Sequence, residues 1–172
     1  MKGRIVMKKS PLKRLFVFPA RAAGRFVVGD NFVEGKTTNG VRIAWLGDYF
    51  KKYLLPKVEG EVEKQKLIIW KLSYPATDLP QEDEPGVIQE LHGRHRTMLA
   101  HYSQLLAHKQ RMKDFGWLIG YTDDINGCML AVRSYWRAEN DGWGVEAGPI
   151  GFPHRWDTDR QIVSRLSKLK KE

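Results

Sequence analysis

The segment from residue 115 to 165 constrains the fold more than any other part of the chain. It holds four of the six tryptophans, in a run broken by turn residues: Trp117, Trp136, Trp143 and Trp156. The turns are Asp-Ile-Asn-Gly at 124–127 and Glu-Asn-Asp-Gly at 139–142, where glycine supplies a positive φ. This pattern predicts antiparallel strands near 117–122, 128–136 and 142–148, and 160–166 is either a fourth strand or the start of a terminal helix.

Apolar side chains between residues 86 and 113 recur at spacings of three and four, which is typical of one face of an amphipathic helix. Gly93 interrupts this period, so we expect a short helix ending at Leu91 and a longer one from about 96 to 113. The longer helix should pack across the sheet through Met98, Tyr102 and Leu105. The predicted fold class is therefore α+β: an antiparallel β-meander in the C-terminal half with an amphipathic helix packed on it.

The N-terminal half predicts short strands and one helix. Strands are expected at 26–32, 41–45 and 66–74. A helical period begins near Leu46, with Asp48 as a candidate cap, and Pro56 ends it. The proline-rich, acidic stretch 75–86 predicts a loop or surface linker.

The basic residues define the expected domain limits. Residues 1–24 form a basic arm without acids, residues 25–166 a single α+β domain, and residues 167–172 a basic tail. The apolar run 15–18 is too short for the core of a signal peptide, and Met7 is an alternative start. No segment contains a run of apolar residues close to the length of about eighteen that a membrane span requires. We therefore expect a cytoplasmic protein without a membrane partner.

Composition narrows the class of partner. A chain of 172 residues, 42% hydrophobic, can bury a real core, and its net charge of +9 favours polyanions such as nucleic acid or an anionic membrane face. The single cysteine, Cys128, excludes an internal disulfide and predicts a buried, inert thiol after a turn. The stretch Gly-Lys-Thr-Thr at 35–38 lacks the earlier glycine of a phosphate loop, so no cofactor is expected.

One pattern in the C-terminal part is specific. Residues 124–132 match D-x-N-G-x-x-x-A-V, followed by Trp136, GWxVxA at 142–147, and P-H-R-W with V-S-R at 153–165. Together with LGDYF at 46–50 and KLSY at 71–74, the pattern resembles an uncharacterised family of short hypothetical bacterial proteins known mainly from environmental genomes. The resemblance covers roughly residues 25–166 and implies one compact unit without implying an activity. The basic arm, acidic insertion, extra histidines and lysine-rich tail depart from it.

Basic and aromatic residues alternate in the strand predicted at 128–136. Arg133, Tyr135 and Arg137 should share one face of the sheet, opposite the face that carries Trp136. An exposed face of arginine and tyrosine suits stacking of unpaired bases together with phosphate contact. Other basic residues are further candidates for nucleic-acid contact: Arg155, Arg160, Arg165, Lys8, Lys9, Lys13 and Arg14. The tryptophans at 117, 136 and 143 are expected to lie mostly in the core.

Two weaker chemical sites can be assembled from spacing. Glu90, His92 and His95 could ligate zinc, but His95 lies on the apolar stripe and flanking arginines repel a cation, which favours solvated or core-edge histidines. The residues His154, Asp157 and Asp159 could hold a divalent ion for phosphodiester hydrolysis, although Asp-Thr-Asp is also an ordinary cap or turn.

Three functions therefore stay open. The leading hypothesis is a non-enzymatic protein that binds RNA or single-stranded DNA through the sheet face and the basic arm. The rival is a protein–protein interaction or inhibitor module, of the kind mobile elements encode, which docks an acidic protein surface. The third is a metal-dependent nuclease.

Overall fold

The computed structural model describes residues 9–108, 112, 114, 116–151 and 155–168. Over these residues the chain forms twelve strands and four α-helices, which confirms the predicted mixed α+β class. The helices are α1 (Val28–Asn31), α2 (Asp48–Tyr53), α3 (Val87–Glu90) and α4 (Leu99–Ala107). Within the described part of the chain, no helix is long and apolar enough to cross a membrane.

Eight strands form one large, mostly antiparallel sheet. Their spatial order is β1 (Leu12–Ala20), β6 (Gln65–Leu72), β12 (Arg160–Arg165), β8 (Trp117–Asp123), β9 (Met129–Arg137), β10 (Gly142–Pro149), β4 (Val41–Leu46) and β3 (Thr37–Thr38). The β12–β8 and β10–β4 pairs are parallel. Two short two-stranded sheets lie outside this large sheet. One pairs β2 (Phe26–Val27) with β5 (Val58–Glu59), and the other pairs β7 (Ala76–Thr77) with β11 (Arg155–Trp156).

Residues 12–20 form the edge strand β1, although the sequence placed them in the basic arm. The strand pairs antiparallel with β6 along its length, with a bulge between Arg14 and Phe16. Phe18 and Ala20 are buried because apolar side chains at alternate positions of a strand face the core. These residues therefore belong to the folded domain, and the charged side chain of Arg14 lies on an edge strand, where charge discourages association with other sheets.

Helix α4 covers one face of the sheet through Tyr102, Leu105 and Leu106, which are all buried. The Tyr102 ring lies against Gly120 of β8, where a Cβ atom would be 3.0 Å from the ring. The Tyr102 hydroxyl is 2.7 Å from Ser134 Oγ, and burial raises the pKa of Tyr102, so it remains a donor. The helix begins at Leu99, later than the expected residue 96.

Of the residues that the structure describes, 75–98 cover part of the opposite face of the sheet, and we call this segment the strap. The strap contains β7 and α3 and packs on a second apolar cluster: Leu72, Ala76, Val87, Leu91, Ile119, Tyr121, Ala131, Trp156 and Ile162. Asp78 of the strap is 3% exposed and accepts hydrogen bonds from the Tyr121 hydroxyl and the Trp156 indole. The acidic stretch predicted as a loop or surface linker is thus anchored in the core at Asp78 and Glu84.

Glu59 is buried, with 2% of its surface exposed, yet its carboxylate is well hydrogen bonded. The two oxygens each accept a bond of 2.8 Å, one from the Leu99 amide and one from the Ala100 amide. Glu59 therefore caps α4, where unpaired N–H groups and the helix dipole favour negative charge. Lys57 Nζ lies 3.6 Å from the same carboxylate and donates to the Asp123 carbonyl at 2.6 Å, which ties this cap to β8.

Several local expectations were wrong. Cys128 is exposed because β9 begins one residue later and Cys128 still belongs to the turn. Residues 28–31 form helix α1, so the strand expected at 26–32 is limited to β2. Asp48 makes no side-chain cap; Gly47 occupies the cap position, packed so closely on Glu146 that a Cβ would lie 2.8 Å from it.

The cap on α4 can be tested with Glu59→Gln. The amide keeps the shape of the side chain but loses the charge, so we expect the free energy of unfolding to fall by about 1–3 kcal/mol. Urea denaturation measures this loss. The matched change Glu61→Gln, at an exposed position two residues later, should have little effect, and an equal loss in both variants would contradict the role of Glu59.

A pH dependence follows from His101 on α4, which is 3% exposed. Burial lowers the pKa of His101 below its ordinary value of 6.5, so the folded state binds its proton less readily than the unfolded state does. Stability should therefore be complete above about pH 6.5 and fall as the pH drops towards the folded-state pKa. Denaturation at several pH values should show a shallower loss for His101→Gln. The same slope in His101→Gln and in the exposed control His92→Asn would contradict the assignment.

Candidate functional site

Beyond the strap lies a part of the same sheet face over which no described segment passes, and it carries a row of planar side chains. We call this row the ladder, and in spatial order it consists of Arg160 of β12, Trp117 of β8, Tyr135 and Arg137 of β9, and Trp45 of β4. All five side chains belong to half-buried residues. The row crosses the strands because its members come from β12, β8, β9 and β4. Tyr135 and Arg137 both come from β9, where they occupy consecutive positions on the same face.

The members of the ladder contact one another in sequence. The Arg160 guanidinium lies 4.8 Å from the Trp117 ring centroid, and the Trp117 and Tyr135 centroids are 4.2 Å apart with an interplanar angle of 36°. The Arg137 guanidinium lies 5.4 Å from the Tyr135 ring and 5.4 Å from the Trp45 ring. Cation–π and ring–ring contacts thus run without a gap from β12 to β4.

Glycines on β10 make room for the ladder. Tyr135 is paired with Gly144 across the β9–β10 register, and its ring leans over that residue. A Cβ atom on Gly144 would lie 2.6 Å from Tyr135 Cζ, a distance that real Cβ atoms do not adopt. Gly142 gives similar space to Ala44 of β4, which would be 3.0 Å from an added Cβ. Because Gly142 and Gly144 have no side chains, Arg137 of β9 and Trp45 of β4 can approach each other above β10.

Positive charge dominates this face. Arg42 and Arg133 flank the ladder, so four arginines lie on or beside it together with Arg137 and Arg160. Arg133 forms an ion pair with Glu146, its direct partner in the β9–β10 register. Asp159 lies at the outer end, ion-paired with Arg160. Four guanidinium groups against two carboxylates leave a net positive surface.

Trp156 marks the boundary between the strap and the ladder. Its indole N–H is held by Asp78 at 2.5 Å, and the Arg133 guanidinium lies 5.9 Å from its ring. The buried Asp78 therefore fixes a tryptophan that in turn supports an arginine at the edge of the uncovered face.

Four of the predicted nucleic-acid contacts come together in this place. Arg133, Tyr135 and Arg137 lie on one face of β9, as the alternation indicated, and Arg160 reaches the ladder from β12. Sequence reasoning assigned Trp117 to the core and gave Trp45 no role. The sequence could have placed Trp117 on the same face of β8 as Ile119, because the two residues are two positions apart. The position of Trp45 depends on the parallel pairing of β4 with β10, which no local pattern reveals.

The other predicted basic contacts lie elsewhere. Arg165 is 3% exposed and donates to the Arg96 carbonyl at 2.6 Å, so it holds a loop and does not reach this surface. Burial, aided by Arg96, lowers its pKa. Arg155 is ion-paired with Glu84 of the strap at 2.9 Å.

The arm residues are separate from the ladder. Lys9 and Lys13 are exposed. Arg14 lies 5.8 Å from the Trp70 ring and belongs to β1, which is three strands away from β8. Lys8 lies outside the described residues. These side chains add positive charge at the β1 edge of the sheet.

The weaker chemical sites receive no support from geometry. No group of three or more potential metal-ligating side chains occurs within the described ranges, so Glu90, His92 and His95 do not form one. Asp157 and Asp159 are exposed in the turn before β12. His154 lies outside the described residues, and the three-residue nuclease site stays a prediction.

Comparison of the chain with protein-family models, with curated proteins and with solved structures finds no match. The resemblance to the environmental bacterial family therefore stays a prediction. The chemistry of the ladder is the remaining basis for assigning a function.

The space above β10 can be tested with Gly144→Ala. The added methyl group overlaps the Tyr135 ring, so we expect displacement of that ring and a loss of about 1–3 kcal/mol in the free energy of unfolding. Near-ultraviolet circular dichroism should report the lost Trp117–Tyr135 packing. The control is Gly148→Ala on the same strand, where no atom lies within 4 Å of an added Cβ. Identical spectra for the two variants would contradict the proposed packing.

Proposed function

We propose that the protein is a non-enzymatic nucleic-acid-binding protein that takes up single strands, of RNA or DNA, on the ladder. The observation that carries this proposal is the continuous row of guanidinium and ring planes on an uncovered, positively charged sheet face. Unpaired bases stack on aromatic rings and on guanidinium planes, while arginines contact the phosphates.

The ladder can open to admit a base because its cation–π contacts are weak. A contact between a cation and a ring at a half-exposed site contributes about 0.5–1 kcal/mol. A base stacked on an aromatic ring contributes about 1–3 kcal/mol. A base can therefore displace Arg137 from the Tyr135 ring, and the released guanidinium gains a phosphate contact in exchange.

The shape of the site favours single strands over a duplex. The rings of Trp117 and Tyr135 are supported from below by the sheet, and Tyr135 leans over Gly144 without a side chain in between. Stacked planes of this kind can be used only by bases that have left a double helix, since the faces of paired bases are covered by their neighbours.

Binding should depend on salt and on the ladder. We expect the protein to bind a labelled mixed-sequence oligonucleotide at low salt, with an affinity that falls steeply as salt rises because counterions are released. Replacing Tyr135 and Arg137 together by alanine should lower the affinity by about tenfold to a hundredfold. Fluorescence anisotropy at several salt concentrations measures both effects.

Two controls sharpen this experiment. The pair Tyr49→Ala and Lys52→Ala removes one exposed tyrosine and one positive charge from α2, outside the ladder, and should change the affinity little. Deletion of residues 1–8 leaves β1 intact and should flatten the salt dependence while keeping any sequence preference. Absence of binding at low salt, or equal losses in the two double variants, would overturn the proposal.

A protein partner is the second candidate, because the exposed parts of Trp45, Trp117 and Tyr135 lie beside arginines. Trp, Tyr and Arg are the residues most enriched where protein interfaces derive their affinity. An acidic protein surface would complement the net charge of this face. Failure of the wild-type protein to bind any oligonucleotide, together with intact folding, would favour this candidate.

A further inference from the structure

Glu146 is an unexpected acid at the edge of the basic face, opposite Arg133 in the β9–β10 register. It lies on β10, two residues from Gly144 and on the same face, and the Tyr135 ring leans over Gly144. Its side chain is 23% exposed, and that of its ion-pair partner Arg133 is 31% exposed. A carboxylate beside a phosphate-binding surface weakens phosphate binding. The presence of Glu146 at this place is therefore explained if its carboxylate binds another part of the ligand.

The Arg133–Glu146 pair presents complementary groups side by side. A carboxylate offers about four acceptor positions, and one guanidinium cannot occupy all of them. Arg133 likewise has five N–H donors, of which a single carboxylate uses two at most. The pair therefore retains donors next to acceptors at a partly exposed position, two residues along β10 from the glycine under the Tyr135 ring.

Resting on the function proposed above, we propose that Arg133 and Glu146 select a guanine base stacked on the ladder. Guanine carries two parallel donors, N1–H and the N2 amino group, which match the two oxygens of the Glu146 carboxylate. It also carries the acceptors O6 and N7, which match the fork of an arginine. Adenine and uracil lack this arrangement of two donors beside two acceptors, and cytosine offers one amino donor only.

The alternative is that the ion pair serves the sheet alone. Opposite charges directly across an antiparallel pair of strands stabilise it by a small amount. In that case Glu146 would only repel phosphates, and its neutralisation would strengthen binding to every oligonucleotide alike. The two roles therefore predict different results for the same substitution.

The experiment compares two oligonucleotides that differ in one nucleoside only, guanosine or inosine. Inosine lacks the N2 amino group of guanosine, and we call the two oligonucleotides the guanine strand and the inosine strand. We expect the wild-type protein to bind the guanine strand about tenfold more tightly. In Glu146→Gln the difference between the two strands should shrink to about twofold or less, while affinity for the inosine strand stays equal or rises. The matched control Glu82→Gln, at an exposed position on the strap, should keep the full preference.

The outcomes separate the two proposals. Equal wild-type affinity for the guanine and inosine strands overturns the selection of guanine without any variant, and leaves single-strand binding intact. A uniform gain in affinity for Glu146→Gln, with the preference unchanged, also overturns it and assigns the pair to the sheet. Absence of wild-type binding to both strands overturns the proposed function itself.

Discussion

The buried carboxylate of Glu59 connects parts of the fold that lie far apart in the sequence. It lies on the short strand β5, binds the first amides of α4 and is neutralised by Lys57, which also reaches the end of β8. A buried charge is tolerated only when such partners surround it. The position of α4 therefore depends on this polar junction at the rim of the sheet, together with the packing of Tyr102 on Gly120 and its hydrogen bond to Ser134.

The candidate site exists because the two faces of the sheet are covered unequally. On one face, α4 and its neighbours bury the strands. On the other face, the strap covers the strands only as far as Trp156, which is hydrogen bonded to Asp78 of the strap. Within the described ranges, no helix or loop is seen above the remaining strands, and their rings and guanidinium groups cover the backbone by packing on one another. The ladder is thus both the cover of an open sheet and a surface suited to planar ligands.

The turns and the strand alternation of the C-terminal half could be predicted from the sequence, whereas the long-range pairings could not. The glycine turns at 124–127 and 139–142 indicated strands at β8, β9 and β10, and the period of two placed Arg133, Tyr135 and Arg137 on one face. Trp45 joins them through the parallel pairing of β4 with β10, and such pairings leave no trace in nearby sequence. Glu59 was part of a charged stretch, and its burial depends on amides of a helix far along the chain. In β1, basic residues suggested an arm, but the burial of Phe18 and Ala20 prevailed.

Strand β12 lies between β6 and β8, and it follows every other strand that the structure describes. During synthesis on the ribosome, β1 can pair with β6, and β8 can pair with β9, long before residues 160–165 emerge. Until then the facing edges of β6 and β8 have no partner, and unpaired edges attract other extended chains. The nascent protein therefore carries two half-sheets with unpaired edges, which β12 joins.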